Sequence, residues 1–263
     1  MTISATGWWL PWLVGAVLNS LLLGLAWGLP KKLLTPAGYL HAWVLGVLIW
    51  GCLGWQGYLV VMVYFLVGSG VTRIGKDRKE AAGIAEARSG ARGPENVWGS
   101  ALTATLCAIA IFFLQILSDP VASSNWIELL SLAYVASFST KLSDTTASEV
   151  GKAYGKRTFL ITSLKPVPAG TEGAVSLEGT LAGVVGSAII ALAAWGVGLI
   201  PVWGIAVCLI AAFVATNAES LIGATLQNQF DWLTNELVNI LNTTIGALVA
   251  MGMGSLWFLV TTS

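Results

Sequence analysis

Eight blocks of apolar residues, most of them long enough to cross a bilayer as a helix, leave this chain few folds to choose from. They run Trp8–Leu29, Ala37–Leu53, Tyr58–Val71, Gly99–Leu117, Trp126–Thr140, Leu177–Leu199, Val202–Ala218 and Val238–Val260. A helix needs about 17–25 predominantly apolar residues to span the hydrocarbon core, and inside it every backbone polar group must be satisfied within the helix. Composition agrees, since 56% of residues are hydrophobic and 10% charged, against roughly 25% charged in a soluble domain. The expected fold is therefore all-α: a polytopic transmembrane helix bundle of about eight spans with polar loops, residues 1–263 forming one integral membrane domain. The third block is short and is expected to borrow neighbouring residues or to end as a half-buried helix. The first is read as a true span and not a cleaved signal, because no Lys or Arg precedes it and further spans follow at once. Cys52, Cys107 and Cys208 each lie inside an apolar block and read as small core residues, neither disulfide nor metal ligands.

The charges are distributed unevenly along this framework. All thirteen basic residues fall in three connections: Lys31 and Lys32; then Arg73, Lys76, Arg78, Lys79, Arg88 and Arg92; then Lys141, Lys152, Lys156, Arg157 and Lys165. Successive long connections are separated by two spans, so they share one side of the membrane, and the positive-inside bias makes that side cytoplasmic. Both termini are then expected outside. Tryptophans cluster near span ends, as interfacial belts should. Of the thirteen acidic residues only Asp119 and Glu128 fall on the outer side. An inner face rich in both signs and in glycine suits a charged, multidentate ligand. Nothing here forms the clustered basic footprint that nucleic acid requires, so no nucleic-acid partner is expected; membrane lipids are.

Four stretches of that face carry chemistry. In Gly68-Ser-Gly-Val-Thr-Arg-Ile-Gly-Lys-Asp-Arg-Lys79, glycines let backbone approach a phosphate and Arg73, Lys76 and Lys79 can neutralise it; a plain topological anchor is the alternative. In Ser143-Asp-Thr-Thr-Ala-Ser-Glu-Val-Gly-Lys152, a helix would align Asp144 with Ser148 and Thr145 with Glu149. Carboxylates and hydroxyls at a helix end suit Mg²⁺, which takes one or two carboxylates and leaves the rest to phosphate and water. The third stretch, Thr162 to Glu178, holds two prolines and two glycines and reads as a structured turn whose N–H groups, hydroxyls and Lys165 cradle an anion at the start of the sixth span. Gly179, Gly183 and Gly186 beyond it read as close helix packing. The fourth begins at Thr216-Asn-Ala-Glu-Ser220. Beyond it Asp231, Asn235, Asn239 and Asn242 recur at spacings of four, four and three, a polar stripe that must face the bundle interior or a wet cavity. The single histidine, His41, lies early in the second block between Tyr39 and Trp43 and reads as interfacial packing.

In this order, these stretches resemble a family of integral membrane proteins that includes plant and cyanobacterial phytyl-phosphate kinases. The resemblance runs from Leu34-Thr-Pro-Ala-Gly38 to Asn242-Thr-Thr-Ile-Gly246, and its most specific parts are Ser143-Asp-Thr-Thr-Ala-Ser-Glu-Val-Gly151, Gly170-Thr-Glu-Gly-Ala-Val-Ser176 and Glu219-Ser-Leu-Ile-Gly-Ala-Thr-Leu-Gln227. It departs where relatives often carry Gln and Asn and this chain has Asn96 and Ser100. The resemblance implies transfer of the γ-phosphate of a nucleoside triphosphate, usually CTP, to phytyl or another isoprenoid monophosphate, for tocopherol-type prenyl-lipid synthesis. It implies a home in a cyanobacterial plasma or thylakoid membrane or a plastid envelope.

On that reading Asp144 and Glu149 hold Mg²⁺ with Glu219 or Asn217 assisting. Arg73, Lys76, Lys79, Lys152 and Lys165 contact phosphates, Arg73 and Lys152 at the reacting group. Gly170, Thr171, Gly173 and Ser176 form the cradle, and Asn239 joins from the polar stripe. A phosphate acceptor is already an anion and needs no general base, so a site without histidine is consistent with this chemistry. The residues leave two rivals open. One is a lipid or small-molecule transporter or scramblase, suggested by the intramembrane Asn/Thr stripe and by the echo of Ala147-Ser-Glu-Val-Gly151 in Glu219-Ser-Leu-Ile-Gly223. The other is a CTP-dependent cytidylyl transferase, which would use the same charges and release pyrophosphate.

Overall fold

A computed structural model describes residues 7–30, 33–85, 91–227 and 229–262; Lys31, Lys32 and Arg88, assigned above to the basic face, lie outside the described residues. The chain is helical almost throughout. Its helices are α1 (Leu10–Trp27), α2 (Pro36–Val71), α3 (Lys76–Ala81), α4 (Pro94–Leu117), α5 (Pro120–Tyr154), α6 (Leu177–Gly196), α7 (Val202–Ile222) and α8 (Asn235–Thr262). Six of these are long and apolar enough to cross a membrane. A small antiparallel hairpin, β1 (Thr158–Leu160) and β2 (Ala174–Ser176), precedes α6.

Helix α2 contains two passes. A straight helix of its 36 residues would be about 54 Å long at 1.5 Å per residue, but Gly54 breaks it with φ 66° and ψ −158°, a conformation open to glycine. The chain doubles back there. Trp50 and Tyr58 bring their rings to 5.2 Å, and Arg92 lies against both Gly38 near the start of α2 and Gly68 near its end. The second and third expected spans are thus the two arms of one helical hairpin. With α1, α4, α5, α6, α7 and α8 they make the eight passes read from the apolar blocks.

Helix α5 is the axis of the bundle, packing against α2, α4, α6, α7 and α8. It is more polar than the other long helices, carrying Lys141, Asp144, Glu149 and Lys152 in its inner part. Its fit to α6 is a backbone-to-backbone contact. A Cβ at Gly179 would stand 2.6 Å from the Ala147 carbonyl oxygen, and one at Gly186 would stand 2.4 Å from Thr146 Oγ1. Small residues allow this approach where lipid offers no hydrophobic drive between helices. Peripheral α1 buries only Gly15 and Asn19. Asn19 is satisfied in the apolar layer by donating to Gly15 O at 2.8 Å and accepting from the Tyr58 hydroxyl at 3.0 Å, as hydrocarbon requires.

The charged connections gather at one end. Lys79 of α3 pairs with Glu149 of α5, Lys141 of α5 reaches Asn239 of α8, and Glu219 of α7 accepts from Asn242 of α8. His41 accepts a hydrogen bond from Trp98 Nε1 at 2.8 Å, the packing role expected of it.

Candidate functional site

A cavity of about 290 Å³ opens at this end between α5, the β1–β2 loop, the start of α6, the end of α7 and the start of α8. Each wall follows from local sequence. The stretch from Ser143 is helical, because α5 runs unbroken to Tyr154; Asp144 and Ser148 both line the cavity, consistent with a shared face one turn apart. Pairing of Thr158–Leu160 with Ala174–Ser176 closes the Pro/Gly-rich segment into a loop. Ser176 then caps α6, its Oγ accepting from Gly179 N at 3.1 Å. Gly173 has φ 75°, and a Cβ there would stand 2.6 Å from Ser220 O and 2.4 Å from Ala224 Cβ. Only glycine lets the loop sit this close to the end of α7. A π-helical turn, Gly223–Gln227, ends that helix, and such turns are frequent at functional sites.

The polar core of the cavity is a cluster of one lysine and two carboxylates. Lys141 Nζ lies 2.5 Å from Asp144 Oδ2 and 2.6 Å from Asn239 Oδ1. Glu219, which comes from α7, stands beside Asp144 in the cavity wall, and Asn242 donates to Glu219 from the other side. Two carboxyl groups beside one lysine carry one negative charge more than it balances, which a proton or a further cation can offset. This pair therefore fits Mg²⁺, which holds one or two protein carboxylates and completes its shell with water and phosphate.

Ten of the expected site residues line this one cavity: Asp144, Glu149, Lys152, Gly170, Thr171, Gly173, Ser176, Asn217, Glu219 and Asn239. Four do not. Lys79 is buried behind the wall, donating to Thr72 O at 2.9 Å and to Glu149. Lys76 pairs with Glu80 at 3.4 Å on the surface of α3. Arg73 and Lys165 are exposed. Glu149 thus reaches the cavity with Lys79 on its Oε2, and among the described residues no three His, Cys, Asp or Glu side chains are grouped to hold a metal. In the sequence Lys141 stands out only as part of the basic face, and Asn242 only as a member of the polar stripe. Both belong to the cluster. The signal for Lys141 was its position three residues before Asp144 on a helix; the signal for Asn242 was the stripe itself.

The matches to known proteins cover the same stretches. The model of the family described as "Integral membrane protein DUF92" matches residues 19–247. The membrane protein sll0875 of Synechocystis sp. is 66% identical over 92% of this chain and 91% of its own length. Protein VTE6, chloroplastic, of Arabidopsis thaliana is 44% identical over 84% of this chain, which spans 65% of that longer protein. The membrane protein MJ0933 of the archaeon Methanocaldococcus jannaschii is 30% identical over 84% of this chain and 86% of its own. No solved structure matches. Carrying the span pattern and site stretches through most of its length, the chain belongs to the DUF92 family of integral membrane proteins.

Proposed function

We propose that this protein is a membrane phosphotransferase that moves the γ-phosphate of a nucleoside triphosphate, CTP by preference, onto phytyl or a related isoprenoid monophosphate to give the diphosphate. The observation that carries the reading is the composition of the cavity. It combines a carboxylate pair suited to a divalent cation, lysines and a glycine-bearing loop around an acceptor-sized space. His41 is not among its lining residues. The resemblance to phytyl-phosphate kinases and the kinship with a chloroplast protein favour the same substrates and the prenyl-lipid pathway.

The chemistry demanded of these side chains is modest. An oxygen of the acceptor phosphate forms a bond to the γ-phosphorus, the bond from that phosphorus to the β-bridging oxygen breaks, and nucleoside diphosphate leaves. No proton has to be removed, so the barrier is mainly the approach of one anion to another. Such transfers depend on positioning and charge neutralisation. Lys141 lines the cavity with its ammonium held between Asp144 and Asn239. Lys152 adds a second cation from the next turns of α5, and the Gly170–Gly173 turn would lie against the nucleotide phosphates. Asp144 and Glu219 would hold Mg²⁺, which when bound offsets the charge of the nucleotide. The charged end would face the cytoplasm, or the equivalent plastid side, where nucleotide is available.

The test is incubation of purified, detergent-solubilised protein with Mg²⁺, CTP and phytyl monophosphate, with products read by mass spectrometry. Phytyl diphosphate with CDP is the expected outcome. Pyrophosphate with a CMP-linked lipid would make it a cytidylyl transferase. Absence of turnover, in a preparation that binds neither nucleotide nor lipid phosphate, would overturn the reading.

A further inference from the structure

We infer that the acceptor enters this site sideways from the bilayer, through a crevice between α6 and α7, keeping its hydrocarbon chain in lipid while its phosphate reaches Lys141 and Asp144. The inference rests on the phosphotransferase reading and deepens it: the acceptor is a membrane-resident amphiphile and is not drawn from water.

The cavity does not stop at its charged rim. Its wall continues along α6 through Gly183, Val184 and Ser187, and along α7 through Leu209 and Phe213. From Leu177 to Ser187 the helix rises about 15 Å, which carries the wall to the middle of α6. Val184 and Phe213 are also 39% and 49% exposed. Both sit in helices apolar enough to span a membrane, so the surface that exposes them faces lipid. Cavity and bilayer therefore meet between these two helices.

The asymmetry of the packing explains why the opening lies there. On its α5 side, α6 is pressed backbone to backbone through Gly179, Gly183 and Gly186, leaving no room for a chain. On the α7 side polarity falls with depth, from Glu219 and Asn217 to Thr216 and then to Phe213 and Leu209. Thr216 Oγ1, at the change from charged to apolar wall, is buried with no hydrogen-bond partner. A buried hydroxyl without a partner is costly, and a phosphate or phosphoester oxygen at this level would satisfy it. A charged head, a hydroxyl at the junction and an apolar crevice form the negative image of a prenyl monophosphate. A water-soluble acceptor would make no use of the lower half.

A second cavity, of about 340 Å³, lies between α1, α2 and α4, with Leu22, Leu45, Met62 and Ala101 in its wall. It is apolar enough for a tail, but it shares no lining residue with the site. It meets charge only at Arg92, whose Nη1 donates to the Tyr64 hydroxyl at 3.0 Å. A lipid seated there would hold its phosphate away from Asp144.

The two locations are separated by photolabelling. A twenty-carbon prenyl monophosphate with a diazirine near its far end is added to the full chain in nanodiscs, irradiated, and the labelled peptides are mapped by mass spectrometry. Label between residues 180–190 and 205–216 is expected. Label on α1, α2 or α4, or no more label than on heat-unfolded protein, overturns the crevice. Label in the crevice of a protein that shows no transfer from CTP would leave the crevice standing and remove the phosphotransferase reading. As a second readout, Val184→Trp narrows the mouth. It should lower the ratio of kcat/KM for phytyl over geranyl monophosphate about tenfold, the scale on which an apolar pocket discriminates chain size. Leu248→Trp, on the exposed face of α8, should keep the wild-type ratio. Equal losses with both acceptors in the Val184 variant would refute a crevice that holds the chain.

Discussion

Lys141–Asp144 and Lys79–Glu149 are lysine–carboxylate pairs that both take their carboxylate from the inner length of α5, yet their surroundings differ. Lys79 and Glu149 have side chains only 2% and 4% exposed, and Lys79 also donates to Thr72 O at 2.9 Å, the last carbonyl before the loop to α3. That pair ties the segment after α2 to the bundle. Lys141 and Asp144 are 10% and 14% exposed and open on the cavity, where Glu219 adds a second carboxylate to the same lysine. One pair is matched in charge and touches the cavity only through Glu149. The other carries more carboxylate than lysine and faces space. The difference teaches that charge balance, not the number of charges, separates the self-neutralised brace from the cluster that is the candidate for a ligand in this face.

The comparison is broken most directly at Asp144. Asp144→Asn keeps the shape and removes the charge, and should lower kcat for CTP-dependent transfer by about a thousandfold, the upper range for losing one preorganised electrostatic group. Glu219→Gln should do nearly the same, because either change leaves a single carboxylate for the cation. A variant at either position that retains wild-type kcat would remove the metal role from the pair.

Glu149→Gln should act on stability before chemistry. Removing one partner of a buried pair leaves an uncompensated charge and costs about 3–5 kcal/mol, read as a lower melting temperature in nanodiscs. The double replacement Lys79→Met with Glu149→Met should recover most of that loss, since well-packed apolar substitutes for a buried pair are often neutral. If Glu149→Gln instead melts like wild type and loses activity as Asp144→Asn does, the two pairs belong to one catalytic site and the contrast between them fails.

Gly173→Ala tests the loop that faces the cluster. The left-handed conformation costs a residue with a Cβ about 1–2 kcal/mol, and the new methyl would press on Ser220 O. The loop has to lift from α7. The expected result is a KM for nucleotide raised about tenfold, equivalent to 1.4 kcal/mol, with kcat changed less. A kcat loss at unchanged KM would show that the loop serves the reacting phosphate and not the nucleotide's binding.

Much of this arrangement was legible in the chain because membrane physics writes locally. Apolar runs, the one-sided basic residues and the Gly179–Gly183–Gly186 spacing each need only a short window of sequence. Of the polar stripe, Asn239 and Asn242 do point into the bundle, whereas Asn235 is exposed at the start of α8 and Asp231 lies exposed before the helix begins. The pairings were not legible. Lys141 meets Asn239 across 98 residues and Lys79 meets Glu149 across 70, and a single sequence holds no record of which helix packs on which. Lys79 therefore looked like a phosphate ligand in a basic loop, when burial had already given it a carboxylate. Arg73, Lys76 and Lys165 looked equivalent to Lys152 for the same reason, though only Lys152 lines the cavity.

That last distinction yields the smallest effect and the finest test. Arg73 and Lys165 are exposed, and outside the cavity their charges act on an incoming nucleotide through water and salt. Screening limits such an effect to roughly 8 Å at physiological ionic strength. Arg73→Ala and Lys165→Ala should each raise the KM for CTP by about twofold at low salt, and the difference should disappear as salt is added, as long-range steering does. Lys152→Ala, inside the cavity, should keep a larger penalty at every salt concentration, because a partly buried charge is screened far less. A salt-insensitive loss in Arg73→Ala would mean that the loop before α3 folds over the site when nucleotide binds. The basic loop would then join the cluster, and the boundary drawn here between site and brace would move to include it.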